Sequence, residues 1–335
     1  MRWLDDGIAS GIESLRSDLE TAGTRLWRDF ERAGLFSGST EWVSAFIAAQ
    51  IGAVPEGRTL AAGVVETILS RARETGGWGY RDDVPEDCDS TAWVLLAAAA
   101  TGVEPPAVAV TRSIRFIVEH QQHNGGFATF RSEARRFLDA PDRAGWFEPE
   151  AAVTSAAVLA LGSVGYQGTE HLKRANRYIR QNRRDDVWES HWWNGFAYPT
   201  YLALSALLGG GRRHHEHEIR AAGRAIRVRR SGTGSWANKE GLADNPFSTS
   251  FALRALLATD GASAQDELVM DSLCYLGRLL SETGALPGSA ELMVPGGLPG
   301  YNVVLRDNGR VTTACVVRAL HEARKRLPES LRNRW

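Results

Sequence analysis

Six stretches of this chain run for about three helical turns almost without charge, and that repetition constrains the fold more than any other feature. Four share one pattern: a Thr, then small and apolar residues, then an Ala-Leu pair six and seven positions on. These are Thr154 with Ala160 and Leu161, Thr200 with Ala206 and Leu207, Thr249 with Ala255 and Leu256, and Thr313 with Ala319 and Leu320. Two looser copies begin at Thr40 (TEWVSAFIAAQIG) and Thr91 (TAWVLLAAAATG). A helix that is apolar all round is buried on every side. Each stretch is followed by a short break and a segment of mixed polarity whose apolar residues recur every three or four positions, the signature of a helix with one buried face. These outer segments run roughly over 58–74, 106–121, 168–182, 214–228 and 266–281, with an earlier one at about 8–31. Six inner and six outer helices predict an all-α fold, a closed (α/α)6 barrel. A Thr or Ser at each inner start is expected to cap the free amides of the first turn.

Length alone suggests two domains for 335 residues. Because the repeats run through the chain without a convincing linker, a single domain over 1–335 is expected. With 39 Lys and Arg against 40 Asp and Glu, the net charge leaves no footprint for nucleic acid. The basic runs at 212–220 and 224–230 carry acids or apolar spacers and read as solvated helix faces. The N-terminal segment lacks the flank and apolar run of a secretory signal, and no later segment approaches a membrane span, so a soluble, cytoplasmic protein is expected. Cys88, Cys274 and Cys315 form no CxxC and read as reduced thiols.

Link lengths distinguish the two ends of the ring. Inner-to-outer links such as 101–105 and 209–213 are a few residues long, whereas links entering inner helices, notably 122–150 and 282–310, are far longer. Binding residues gather on long connections held by a rigid scaffold, so the site is expected at the inner N-termini. Several of these links open with a Gly-aromatic turn: GGWGY at 76–80, GGFATF at 125–130, GSW at 234–236 and a degenerate DVW at 186–188. Together with Phe116, Ile117, Gln121, Gly125 and Phe127, the turns resemble the QW repeats of the terpene cyclase and prenyltransferase superfamily. The segment EDCDSTAW at 86–93, opening an inner helix, resembles the DxDD-T-A motif of class II terpene cyclases such as squalene-hopene cyclase. The resemblance covers essentially the whole chain. It implies protonation of an isoprenoid by Asp89 as general acid, with Asp87 as the first aspartate and Glu86, Cys88 and Ser90 in support. Ser90 stands where the family has its last Asp. The family's bacterial enzymes generally pair two helical barrels, and this chain supplies one.

An acid that protonates an alkene must keep its proton until the substrate arrives. A helix N-terminus favours the carboxylate instead, so burial and nearby negative charge, from Asp87 first, must outweigh that pull. Helix capping by Asp89 or Ser90 is the competing role. A carbocation needs ring faces and the exclusion of water, and the mouth is rich in aromatics: Trp42, Trp93, Trp146, Trp192, Trp193, Tyr198, Tyr201 and Tyr301 are cavity candidates. Arg81, Arg135 and Arg310 lie in the entering links as candidate diphosphate contacts. No metal site and no cofactor are expected, with Mg2+ relevant only to a diphosphate substrate. The Asp-x-Cys and His of a prenyltransferase zinc site are absent. The expected partner is a small isoprenoid, with peripheral membrane contact and oligomeric state open. Two other readings stay open: a ring that binds an isoprenoid or protein without catalysis, and a glycosidase pairing Asp89 with Glu41, Glu148 or Glu150.

Overall fold

The computed structural model describes residues 2–30, 38–135, 144–211, 214–231, 234–238, 245–259, 266–294 and 303–326. Among the described residues, twelve long helices alternate between two layers. The outer layer holds α1 (Arg2–Ala22), α3 (Arg58–Leu69), α5 (Ala107–Val118), α7 (Glu170–Gln181), α9 (Glu216–Val228) and α11 (Glu267–Thr283). The inner layer holds α2 (Glu41–Ile51), α4 (Cys88–Thr101), α6 (Ala151–Ser163), α8 (Ala197–Gly209), α10 (Pro246–Ala258) and α12 (Arg310–Arg326). Each inner helix packs against the next, and α12 returns to α2, so the ring closes. The predicted all-α barrel is the observed fold. Because the inner helices face neighbours on both flanks and the lumen in front, nearly every one of their residues is buried.

The repeat Thr has a different job from the one its sequence suggested. It is the fourth residue of its helix, and its hydroxyl accepts the backbone N–H of the residue ending the preceding turn: Trp78 to Thr91, Phe127 to Thr154, Trp188 to Thr200, Trp236 to Thr249 and Leu286 to Thr313, all at 2.9–3.1 Å. The first turns are capped instead by Asp87, Glu150 and Asn245, whose side chains accept the N–H of Ser90, Val153 and Ser248. In the first repeat the register shifts as well. Thr40 makes no cap bond, and Ser44, fourth in α2, stands at the Thr position but reaches its turn in the opposite sense, its hydroxyl donating to Trp27 O at 3.1 Å.

The turns act as clasps. Indole N–H groups of Trp27, Trp78, Trp188 and Trp236 donate to carbonyls of the preceding outer helix, at Leu15, Ile68, Ile179 and Ile226. The opening residue presses on the following outer helix, which is why it is glycine. Gly76 has φ +84°, and a Cβ there would come within 2.4 Å of the Arg112 side chain on α5. In the degenerate turn Asp186 keeps the left-handed conformation with φ 63°, which Asp tolerates better than most residues.

Two small hairpins lie on the long links. β1 (Trp78–Gly79) pairs with β2 (Glu86–Asp87), placing Trp78 opposite Asp87. β3 (Ala290–Val294) pairs with β4 (Val303–Arg306) and is held over the mouth by Asn194 N to Glu291 O at 2.7 Å and Met293 N to Trp192 O at 2.8 Å. Among the described residues, no helix is long and apolar enough to cross a membrane.

If the Thr hydroxyl is the clasp, Thr249→Val leaves a buried amide unpaired at almost unchanged volume. It should lower stability by about 1–3 kcal/mol, read as a lower urea midpoint at constant m-value, whereas Thr111→Val on an exposed face of α5 should stay within about 0.5 kcal/mol.

Candidate active site

A pocket opens at the N-terminal end of the inner ring, enclosing about 530 Å3 of unfilled space that is partly open to solvent. Its wall is built from the first turns of three inner helices and from the links entering them. Trp42 comes from α2, Asp87, Asp89 and Ser90 from the start of α4, and Glu150, Ala152 and Val153 from the start of α6. Tyr80, Thr129, Phe130, Trp192, Trp193 and Leu292 come from the links. The pocket therefore lies at the long-link end.

Asp89 is the second residue of α4 and faces the pocket rather than the helix backbone. Trp42 Nε1 donates to its Oδ2 at 2.7 Å. The residue is half-buried and lines the pocket. Burial pushes its pKa up to about 7; the charge of Glu150 adds to that, and the Trp42 hydrogen bond and the nearby Trp93 indole pull it back. Trp93 Nε1 itself has no acceptor in hydrogen-bonding geometry among the described residues. The charge of Glu150, from across the pocket, thus raises Asp89, and the charge of Asp89 in turn raises Asp87.

Asp87 is the helix cap. Oδ1 accepts Ser90 N–H at 2.7 Å and Oδ2 accepts the Ser90 hydroxyl at 2.6 Å. Burial, reinforced by the charge of Asp89, pushes it up to about 8 against those two bonds. The capping role that sequence reasoning weighed for Asp89 or Ser90 belongs to Asp87, with Ser90 as its partner. Glu150 caps α6 in the same way, with Oε1 on Val153 N at 3.1 Å and Oε2 on His191 N at 3.0 Å. Burial raises its pKa as well. Two buried helix starts thus hold acids at one cavity, and in each burial outweighs the helix's preference for the charged form.

The other supporting residues lie outside the cavity wall. Cys88 is fully buried behind it, its N–H on Thr129 O at 2.9 Å. Glu86 is turned toward Thr75, whose hydroxyl donates to it at 2.9 Å. Of the aromatic candidates, Trp42, Trp192 and Trp193 line the pocket. Trp146 stands behind, between Phe130 and Trp192 at centroid distances of 5.7 and 5.4 Å. Trp93 and Tyr198 lie beneath it, and Tyr201 is deeper still, its hydroxyl accepting from Arg254 at 2.7 Å. Tyr301 lies outside the described residues.

None of the three arginines proposed for a diphosphate lines the pocket. Arg81 is paired with Asp83, and Arg310 with Asp18 at 2.8 Å and Arg28 O at 3.0 Å. Arg135 sits 4.5 Å above the Phe147 ring. Arg81 is thus paired close by in sequence and Arg310 far away, while Arg135 is exposed and, among the described residues, meets only a ring. Conversely, Tyr80, Thr129, Phe130 and Leu292 were not anticipated, because they lie in links where no periodicity marks an inward face. For Phe130, the closing aromatic of GGFATF was the available signal. The Thr129 hydroxyl is buried in the wall with no hydrogen-bond partner among the described residues.

A closed helical toroid whose pocket holds a neutral-leaning aspartic acid among aromatic rings defines a class II terpene cyclase-like protein. The chain belongs to the squalene-hopene cyclase C-terminal domain family, whose profile matches residues 67–258. It is similar to drimenyl diphosphate synthase of Streptomyces showdoensis, 26% identical over 226 residues. A second drimenyl diphosphate synthase, from Streptantibioticus cattleyicolor, is 24% identical over 223 residues. These matches take in 65% and 63% of this chain and only 40% of each relative, so the chain spans well under half of those longer proteins. Among solved structures it resembles the type II terpene cyclase MstE from Scytonema, with TM-score 0.82 and 25% identity over 98% of this chain and 100% of that one. A variant of MstE in complex with its substrate, geranylgeranyl dihydroxybenzoate, superposes with TM-score 0.80 at 26% identity, covering 97% of this chain and 99% of that one.

The raised acids link stability to pH. Asp89, ordinarily near 3.8 and here near 7, binds more proton when folded than when unfolded between those values, so its contribution falls as pH rises through that window and levels off above it. Asp89→Asn should therefore gain stability relative to the parent between pH 4 and pH 8, by up to about 4 kcal/mol, measured by urea unfolding of both proteins across the range.

Proposed function

We propose that the chain is a class II terpene cyclase in which Asp89 protonates the terminal alkene of an isoprenoid bound in the pocket. The observation that carries this reading is the Asp89 carboxyl itself, held up near pH 7 and open to an aromatic cavity. The proton leaves a carboxyl oxygen for the alkene carbon, and the electron pair of the O–H bond stays on Asp89. The positive charge that forms on carbon meets the faces of Trp42, Trp192 and Trp193, each worth up to about 2 kcal/mol when water is excluded. The final cation returns to neutrality by losing a proton or accepting water.

Trp42 completes the acid. Its N–H already points at Oδ2, so it meets negative charge as that charge develops. Asp87 acts one step removed, fixing the start of α4 through Ser90 and carrying its own proton near neutrality. With Ser90 in the last place of the motif, Asp87 is held by a hydroxyl rather than by another carboxylate. The ring brings acid and cavity together within one barrel, which supports a single catalytic domain over 1–335. The proposed substrate class is a prenyl compound, in keeping with the diphosphate named for two relatives and the prenyl aryl acid bound by another.

A glycosidase reading is disfavoured because Glu150 spends both oxygens on backbone amides. A binding role without chemistry is the outcome the experiment must separate. Incubation with geranyl, farnesyl and geranylgeranyl diphosphates and their aryl ethers, followed by mass spectrometry, should give cyclic products with the parent protein and none with Asp89→Asn. Unchanged substrate from both proteins across the set would sink the cyclase reading. Turnover should be level at low pH and fall with unit slope as pH rises through about 7, where Asp89 loses its proton. Trp42→Phe keeps the ring and removes the donor. It should lower kcat by roughly 10- to 1,000-fold and move the falling limb to higher pH, because the lost hydrogen bond favoured the charged acid.

A further inference from the structure

The start of α12 is held from two sides by carboxyl groups far apart in the chain. Asp29, in the link between α1 and α2, accepts the N–H groups of Asn308, of Phe30 at 2.9 Å and of Val311 at 3.1 Å. Asp307, which follows β4, accepts the N–H groups of Ser289, of Gly309 at 3.2 Å and of Thr312 at 2.9 Å, together with the Thr312 hydroxyl at 3.0 Å. The amides of one turn are thus divided alternately between the two acids. By contrast, α4, α6 and α10 each start on one capping side chain. Asp29 is fully buried and Asp307 is 3% exposed.

Asp307 also closes the root of the β3–β4 hairpin. Its N–H donates to Ser289 O at 3.2 Å while its carboxyl takes the Ser289 N–H. The two backbones run so close that a Cβ on Gly288 would lie 1.4 Å from Asp307 O. The hairpin carries Leu292 into the pocket wall, so the first link, the last helix and the wall of the pocket all meet at this pair. Around it, Arg310 of α12 faces Asp29 and is itself held by Asp18 of α1 and by Arg28 O. Tyr80, beyond β1, faces Asp29, and Cys315 of α12 faces Asp307; burial raises the pKa of both, so neither adds charge near neutrality. Arg306 of β4 directs its guanidinium to Gly288 O at 2.6 Å.

We propose that Asp29 and Asp307 form a pH-sensitive latch, which holds the ring seam and the hairpin root closed while the pair keeps a proton and lets the root open more readily once both are charged. This reading stands apart from the cyclase proposal. Two like charges at one helix start repel where water is excluded, and the repulsion is relieved if the hairpin root draws away and water enters. Burial raises Asp29 and, with the charge of Asp29 added, pushes Asp307 up to about 7. On opening, a solvated Asp307 returns toward its ordinary 3.8 and gives up its proton. The opening constant therefore rises by up to about tenfold per pH unit between those two values and levels off above the higher one. The range that keeps Asp89 protonated is then also the range in which the wall beside it is latched.

Hydrogen exchange of the parent protein, read by mass spectrometry on peptides covering 286–292 and 305–316, tests the latch without requiring turnover. Each rate is divided by that of the same unstructured sequence at the same pH. Protection should fall by about tenfold or more from pH 5 to pH 7 and stay level from pH 7.5 to pH 8.5. Asp307→Asn removes the titrating group and should flatten that fall to about threefold or less. If the asparagine variant does not fold, as judged by thermal melting, Arg310→Gln serves. Without the cation beside Asp29 the pair should hold its proton longer, moving the levelling point up by about half a pH unit or more. Parent and variants share Asp87, Asp89 and Glu150, so a difference between them belongs to the seam. Protection in the parent that does not change between pH 5 and pH 7, or a pH dependence left unaltered in the variants that fold, overturns the latch.

Discussion

Inner helix, outer helix and link meet at one hydrogen bond, the backbone N–H of a turn residue donated to the hydroxyl of the fourth residue of the next inner helix. It recurs five times with a Thr. In four repeats an indole N–H runs from the turn back to the preceding outer helix. A helix with an uncharged surface all round has nothing but packing to set its height in a ring, and packing alone tolerates sliding. The hydroxyl bond fixes that height because a slip of one residue would bury an unpaired amide. The ring is closed by the same kind of contact. Asp29, in the first link, accepts Asn308 N–H and Val311 N–H at the start of α12, joining the first repeat to the last.

Fixing the height of each helix fixes the depth of its first turn, and the chemistry depends on that depth. Asp89 is an acid near neutrality because it sits at a helix start sunk below the rim, where loss of water outweighs the pull of the helix amides. Asp87 and Glu150 show the same balance at the same level. Their caps serve a structural purpose and also hold two further carboxyl groups around the pocket, where the charge of Glu150 raises Asp89 and that of Asp89 raises Asp87. The site is thus a property of the layer in which the six inner helices begin.

Much of this was legible in the chain. Uncharged stretches and their spacing led to the barrel, and the asymmetry of the links to the end where the pocket lined by Asp89 lies. Pattern could not distinguish a Thr that caps its own helix from one that receives a neighbour's amide, since both need a hydroxyl near the first turn. The same ambiguity made Thr40, rather than Ser44, look like the first repeat residue. Charge partners were hidden for a related reason. Arg310 and Asp18 are 292 residues apart, so the neutralisation of a candidate anion contact cannot be seen in local sequence. The hairpin that brings Leu292 into the wall was also missed, because a link read for its length carries no sign of the fold within it.

An acid near pH 7 is weak for an alkene, and the arrangement answers that weakness on the product side. In the proposed protonation, charge would appear at two places at once: negative at Oδ2, where the Trp42 N–H already points, and positive on a carbon among rings that include the Trp42 ring. One side chain thus meets both charges, with its edge toward the carboxylate and its faces available to the cation. A donor of similar strength without a ring would stabilise only the first, and a phenyl ring only the second. Trp42 also stacks on Phe46 at 5.0 Å, so the packed column below holds the indole in the plane from which it reaches Asp89. The aromatic filling of the lumen therefore bears on the proposed acid, because looser packing beneath Trp42 would free the donor that holds the Asp89 carboxyl.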